Sequence, residues 1–269
     1  MSATPAPFEV FAIRYANHSG RSAEENFIGG GDFHDADSDL DYFVWVIRRG
    51  DEVYLVDTGF AEDAAQERKR TLLMRPSAAL AYLDIDPATL KHVILTHLHY
   101  DHAGTLDDFP AATFHVQDAE PAYATGRCMC HKALRLPYGV EDVVTFVRKV
   151  YADRVVFHDG TSELAPGLTL HLVGGHSKGL QVVRVYTRRG WVVLASDATH
   201  LYANIGRSIP FPLVYSVGDM MEGFNRVRAL ADSEDHIIPG HDPQVMHRYR
   251  APDAASEGVV VRLDEPPHA

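Results

Sequence analysis

The chain is poor in cysteine, with two in 269 residues, and those two, Cys128 and Cys130, are separated by a single residue. That spacing is poor geometry for a mutual disulfide, so no disulfide framework is expected and the thiols should be reduced. With His131 beside them they could form a metal or redox site, but two thiols in a Met-containing loop read more simply as apolar filler. Basic residues are outnumbered: 25 Lys and Arg face 37 Asp and Glu, for a formal charge of −12. Phosphate-backbone binding depends on clustered Lys and Arg, so no nucleic-acid partner is expected. No apolar run approaches the roughly 20 residues needed to cross a bilayer, and Met1-Ser2-Ala3-Thr4-Pro5 has neither the charged nor the apolar region of a signal peptide. A soluble, cytoplasmic protein with no membrane partner is the expectation. Linkers rich in Pro, Ser and Gly, low-complexity blocks and internal repeats are also missing. With 46% hydrophobic residues the chain can bury one full core, and a single domain over 1–269 is predicted.

Histidine, by contrast, is plentiful, with 16 copies, and three of them fall in Thr96-His97-Leu98-His99-Tyr100-Asp101-His102-Ala103-Gly104. The apolar run Val93-Ile94-Leu95 just before it reads as a buried strand. If the chain stays extended through His99, the period of two points His97 and His99 the same way. A tight turn at Asp101-His102 would then bring a second pair of donors beside the first. Imidazole and carboxylate together suit zinc and its neighbours in the transition series. A His-rich loop can also be a solvated surface, but donors at the end of a buried strand sit where sheet proteins place chemistry.

Along the rest of the chain, Phe8 to Tyr15 alternates as a strand, and Ser19 to Asp41 reads as a long loop. Tyr42 to Arg48 and Val53 to Val56 form a hairpin, whose second strand ends in Asp57-Thr58-Gly59. Asp57 is either an Asx turn or a buried carboxylate that braces the donors. Ala61 to Met74 and Ser77 to Leu83 read as helices, Ala112 to Val116 as a strand, and about 118–151 as a broken helical insertion. Strands follow at Arg154 to Phe157, Leu168 to Val173, Gln181 to Tyr186 and Trp191 to Ala195. A helix over Asp219 to Ala231 precedes a last short strand, His236 to Ile238. Three of the later strand ends carry polar signals: His176 among glycines, Asp197, and Gly240-His241. The apolar loop residues Phe27, Ile28, Phe33, Phe211, Leu213 and Tyr215 either shape a pocket or a homodimer contact, or cap the core.

His97-x-His99-x-Asp101-His102 resembles the HxHxDH signature of the metallo-β-lactamase superfamily, and His176, Asp197 and His241 follow in that superfamily's order. The resemblance spans Tyr42 to His241. It implies an α/β fold, the αβ/βα four-layer sandwich of two mixed β-sheets with helices on the outer faces. The alternation of strands and helices agrees with this without singling it out. The resemblance also implies two divalent metal ions, zinc foremost, one held by His97, His99 and His176 and the other by Asp101, His102 and His241, with Asp197 bridging. Two cations about 3.5–4 Å apart acidify a shared water and polarise a substrate oxygen.

Within the superfamily, the bridging Asp is generally lacking in the β-lactamases, and glyoxalase II-like thioesterases add a C-terminal helical region where only a short segment follows His241 here. The diiron members replace the second histidine of the motif with an acid, and this chain keeps His99. The sequence is most similar to the N-acyl homoserine lactonase group, which implies hydrolysis of a small lactone, with another ester, thioester or cyclic amide as the alternative. A non-catalytic binding module is the competing class, and seven intact donor positions argue against it. Lactonases of that group carry tyrosine three residues after the bridging Asp, where this chain has His200. The expected catalytic set is therefore Asp101, Asp197 and a proton donor, Tyr202 ahead of His200, with Tyr100 pointing away.

Overall fold

Alternation along the strands sets the layers of the molecule, which a computed structural model describes over residues 4–30 and 39–268. In β1 (Glu9–His18) Val10 and Ala12 face one way and Phe11 and Ile13 the other. In β2 (Leu40–Arg49) Phe43, Trp45 and Ile47 oppose Tyr42, Val44 and Val46 in the same manner. Both faces are apolar, so both must be covered. The strands that follow are β3 (Glu52–Val56), β4 (Thr71–Leu72), β5 (His92–Ile94), β6 (Thr113–Gln117) and β7 (Val155–His158), then β8 (Thr161–Ala165), β9 (Leu168–Leu172), β10 (Gln181–Thr187), β11 (Gly190–Ser196), β12 (Ile237–Pro239) and β13 (Val260–Arg262).

One sheet runs β13-β1-β2-β3-β5-β6-β7, with β4 pairing β1 at the side, and the other runs β12-β11-β10-β9-β8. Both are mixed. In the first, β3, β5, β6 and β7 are parallel to their neighbours, while β13, β1, β2 and β3 pair antiparallel. In the second, β12 is parallel to β11 and the other pairs are antiparallel.

Between the sheets, Trp45, Ile47 and Val56 pack with Leu170, Val183, Val185 and Leu194. The helices are α1 (Glu62–Arg68), α2 (Pro76–Ala79), α3 (Tyr100–Ala103), α4 (Ala119–Ala124), α5 (Lys132–Arg135), α6 (Val140–Tyr151), α7 (Tyr202–Arg207), α8 (Val217–Leu230) and α9 (Gln244–Arg248). On the outer face of the first sheet, Ala79 of α2 and Phe146 of α6 close over Val44, Val93 and Phe114. Val143, Phe146 and Val150 lie at helical spacing along α6, which is why that helix lays one stripe down. On the outer face of the second sheet, Met220, Phe224 and Val227 of α8 cover Val182, Val193 and Ala195. The result is the four-layer sandwich, helix–sheet–sheet–helix.

Several elements differ from the reading of the sequence. The helix expected over Ala61 to Met74 stops at Arg68: Lys69 turns left-handed at φ 54° and the chain joins the first sheet as β4, opposite Ala16 and Asn17. β-Pairing there wins over helix propensity. Strand β8 and helix α7 have no counterpart in that reading, and β13, not 236–238, is the last strand. Asp101-His102 lies in the one-turn helix α3, where a tight turn was expected. No helix among the described residues is long and apolar enough to cross a membrane.

Candidate metal centre

Each polar signal leaves the C-terminal end of a strand, and the ends of both sheets meet at one place. Gln181, at the start of β10, ties them together: its backbone N–H donates to the Thr96 carbonyl at 3.0 Å and its side chain to the Leu95 carbonyl at 2.8 Å. His97 and His99 come from the segment after β5, Asp101 and His102 from α3, His176 from the turn after β9, Asp197 from the end of β11 and His241 from the end of β12. His97, His99, His102, His176, Asp197 and His241 are all buried.

The donor atoms fall into two groups that share Asp197. His97 Nε2 lies 2.9 Å and His176 Nε2 3.0 Å from His99 Nδ1, and Asp197 Oδ2 is 3.0 Å from His176 Nε2. On the other side, Asp197 Oδ1 lies 3.0 Å from His241 Nε2 and 3.3 Å from His102 Nε2, while Asp101 Oδ2 is 3.9 and 3.8 Å from those same nitrogens. One carboxylate oxygen thus faces each group. His97, His99, His176 and Asp197 are spaced to hold a metal ion, and so are Asp101, His102 and His241; Asp197, His200 and His241 also lie close enough together to do so.

The outward nitrogens of these rings decide what the inward ones offer. His102 Nδ1 donates to Asp57 Oδ2 at 2.7 Å, His176 Nδ1 to the Leu213 carbonyl at 2.7 Å, and His241 Nδ1 to the Asp41 carbonyl at 3.0 Å. Thr96 Oγ1 donates to Asp57 Oδ2 at 2.8 Å and can accept from His97 Nδ1 at 3.0 Å. With Nδ1 protonated, each Nε2 presents a bare lone pair to the centre. Lone pairs converging at 3 Å repel unless a cation or a proton lies between them. Burial, reinforced by the neighbouring imidazoles, holds His97 and His99 well below the usual histidine range, so protons do not answer there. His102 Nε2 is buried with no hydrogen-bond partner among the described residues. Burial lowers His102 and His241, but Asp197 and Asp101 outweigh it and lift both, which places protons where a cation would displace them. The donor set fits a divalent transition metal.

Residues 38–257 match the family model of the metallo-beta-lactamase superfamily. The chain belongs to that superfamily. It is 25% identical over 231 residues to the probable metallo-hydrolase of Mycobacterium tuberculosis, covering 76% of this chain and 72% of that one. It is 29% identical over 177 residues to the N-acyl homoserine lactonase AttM of Agrobacterium fabrum, covering 62% and 64%. The crystal structure of a quorum-quenching N-acyl homoserine lactone lactonase superposes with a TM-score of 0.72 at 23% identity, covering 88% of this chain and 92% of that one.

Around this superfamily centre, Asp57 proves to be the brace rather than a simple turn. It is fully buried at φ 62°, a conformation that costs a non-glycine residue energy. Its Oδ1 accepts from Thr96 N–H at 2.7 Å while Oδ2 serves Thr96 Oγ1 and His102. Gly240 is required by closeness: a Cβ there would lie 2.8 Å from Asp197 Oδ1.

The two proton-donor candidates separate. His200 stacks on Phe211 at 3.9 Å between ring centroids and 3° between planes, and its Nε2 is 3.0 Å from Asp197 Oδ2. Burial lowers its pKa to about 3, so the ring is neutral. Tyr202 does not line the metal-centre pocket. It opens α7, and its ring packs under Arg248, 4.5 Å from Cζ to centroid, on the face of the helix away from the metal-centre pocket. His200 lies before the helix and Leu201 is extended, at φ −125° and ψ 152°, so Tyr202, the first helical residue, leaves the backbone in a different direction from His200. Tyr100 is the reverse case: it lines the pocket, its hydroxyl within 3.2 Å of Arg70 Nε. Phe211 and Leu213 also line the pocket, Phe27 is core, and Phe33 lies outside the described residues.

One residue had no signal in the sequence. Glu120, fully buried at the start of α4, accepts from Leu98 N–H at 3.0 Å, Tyr138 hydroxyl at 2.9 Å, Ser177 hydroxyl at 2.7 Å and Gly179 N–H at 3.0 Å. It clamps the His97–His99 segment to the His176 turn and to the insertion. An acid in the first turn of a helix ordinarily signals only the helix dipole.

Proposed function

We propose that this protein is a dinuclear metal hydrolase that opens a lactone ring, of the kind N-acyl homoserine lactones carry. The observation that carries the reading is Asp197, whose two oxygens are divided between two groups of three donors. Five imidazoles and two carboxylates suit zinc. Bound there, the ions would acidify a water and polarise the substrate carbonyl. The similarity to AttM supports the choice of a lactone over other esters.

The chain's own residues supply the rest. Phe211 and Leu213 give the pocket an apolar side, and Asp57 and Glu120 keep the donors in register. Ring opening leaves an alkoxide, which needs an N–H or O–H partner as the bond breaks. His200 is the residue for that task. A neutral imidazole donates from one nitrogen without placing a second cation beside the centre, and His200 lines the pocket.

Hydrolysis of a panel of γ-lactones by the metal-loaded protein, followed by acid release, tests the reading. Turnover with at least one of them, with two divalent ions per chain by elemental analysis, is expected; one ion or fewer, or no lactone cleaved, overturns it. His200→Gln should lose about tenfold or more in kcat, and Tyr202→Phe should stay within about twofold. A loss confined to the Tyr202 variant would return the role to Tyr202.

A further inference from the structure

The pocket over the donor cluster, a cavity of about 450 Å³, is lined by Arg21, Arg68 and Arg70 together with His99, Asp101 and His200. Two of these guanidinium groups share one imidazole. Arg70 Nη1 lies 3.2 Å from His18 Nε2, and Arg21 Nη1 lies 3.3 Å from His18 Nδ1. A neutral imidazole accepts at only one nitrogen, so one of these two contacts sets N–H against N–H. Arg70 Nε also donates to the Tyr100 hydroxyl at 3.2 Å, and Arg68 stacks on the Tyr100 ring, 3.9 Å from Cζ to centroid.

What these arginines lack is a counter-ion. Among the described residues, neither Arg68 nor Arg70 has a carboxylate within 4.0 Å, and Arg21 has only Glu25, at 3.9 Å. Glu25 is itself engaged by Ser22 N–H at 2.8 Å. Some other arginines sit against an acid, Arg48 with Glu9 at 3.0 Å, Arg75 with Asp108 at 2.7 Å and Arg262 with Asp264 at 2.9 Å, while Arg154 and Arg184 donate to the Ala112 and Leu230 carbonyls instead. Four acids line the same pocket, Glu24, Glu25, Asp101 and Asp197, but Asp101 and Asp197 belong to the donor cluster and none of the four lies within 4.0 Å of Arg68 or Arg70. These half-buried guanidinium groups therefore sit with their mutual repulsion and partial desolvation only distantly offset. A ligand that brings the negative charge would relieve both. A neutral acyl lactone has no use for such a wall.

We infer that the substrate carries, beside the bond that is cut, an anionic oxygen group, carboxylate or phosphate, which Arg68 and Arg70 hold with Arg21 behind them. The inference rests on the hydrolase reading for the bond that is cut, but not for the anion site. Planar guanidinium groups match the paired oxygens of both anions.

Two measurements on the metal-loaded protein test it. Calorimetric titration with glutarate and, separately, with inorganic phosphate should show binding that weakens about tenfold or more in Arg68→Gln or in Arg70→Gln; the anion that loses more is the one the site suits. In kinetics, a γ-butyrolactone bearing a carboxylate should exceed its carboxamide in kcat/KM by about tenfold, and the ratio should fall towards one in the same variants. Binding of both anions within about twofold of the parent in both variants overturns the inference. Arginine-dependent anion binding with neither lactone cleaved upholds the anion site and sinks the lactonase reading. Cleavage of both lactones at equal rates, with anion binding untouched by the substitutions, does the opposite.

Discussion

Asp197 is faced by five imidazoles, those of His97, His102, His176, His200 and His241, at 3.0–3.9 Å. Among the described residues no other side chain touches both groups of donors so evenly. Asp197→Asn keeps the shape and removes the charge, and should lower metal content by at least one ion per chain and kcat/KM by about a hundredfold or more; elemental analysis beside kinetics checks it, and full metal content would remove Asp197 from the bridge. Glu120 acts at one remove, through four hydrogen bonds to the backbone and side chains that carry the donors. Glu120→Gln turns one oxygen into an NH₂ facing two donors, at a cost of about 3 kcal/mol. Urea unfolding should show that loss, and metal affinity should fall with it because the two donor segments are no longer held together. The donor residues themselves were legible because their chemistry is local and their types rare. Glu120 was not, because its partners come from Leu98, Tyr138, Ser177 and Gly179, which only folding brings together.

Among the elements, the parallel run β5-β6-β7 carries a ladder of histidines. His92 Nδ1 lies 3.3 Å from His115 Nε2, and His115 Nδ1 lies 3.1 Å from His158 Nε2. Burial, then the two neighbouring imidazoles, lowers the pKa of His115 to about 4. Since the folded value lies below the ordinary 6.5, the unfolded chain binds the proton first as pH falls. The linked stability is therefore complete above pH 6.5 and drains away through pH 4, about 3 kcal/mol in all. His115→Gln should flatten that slope. Urea midpoints of parent and variant measured between pH 7 and pH 4 should converge towards acid; a constant gap at every pH would show that His115 does not titrate with unfolding. The strands bearing the ladder were readable from their apolar pattern, whereas β4 and β8 were not, because two to five residues of weak pattern gain strand geometry only from the neighbour they pair with.

For the molecule as a whole, the centre joins ends from both sheets, so a bound cation should act as a clasp between the halves of the sandwich. A ligand present at about a thousand times its Kd stabilises the folded state by about 4 kcal/mol, which in a chain of this size raises Tm by on the order of 10 °C. Chelation should lower the melting temperature by about that much, and zinc should restore it. An unchanged melt after verified metal removal would mean that the sheets hold each other through the apolar core alone. The core is extensive, with Trp45, Phe43 and Leu170 among many side chains fully shielded between the layers, so the metal-free protein should remain folded.

By itself the sequence carried the strands, through the period of two along each of them, and the order of His and Asp at strand ends. The sandwich and the expected donors followed from the resemblance of that order to the superfamily, not from the periodicity. It also carried the departure at His200. What the tertiary structure alone decided is which way each neighbour of the site points. Tyr202 and His200 are two residues apart, yet the start of α7 sends one under Arg248 and leaves the other against Asp197. Arg21 is separated in the chain from Arg68 and Arg70 by β2 and β3, and meets them only at the pocket. The direction of a side chain depends on the turn of backbone beneath it and on the packing around it, and neither is written in the identity of the residue.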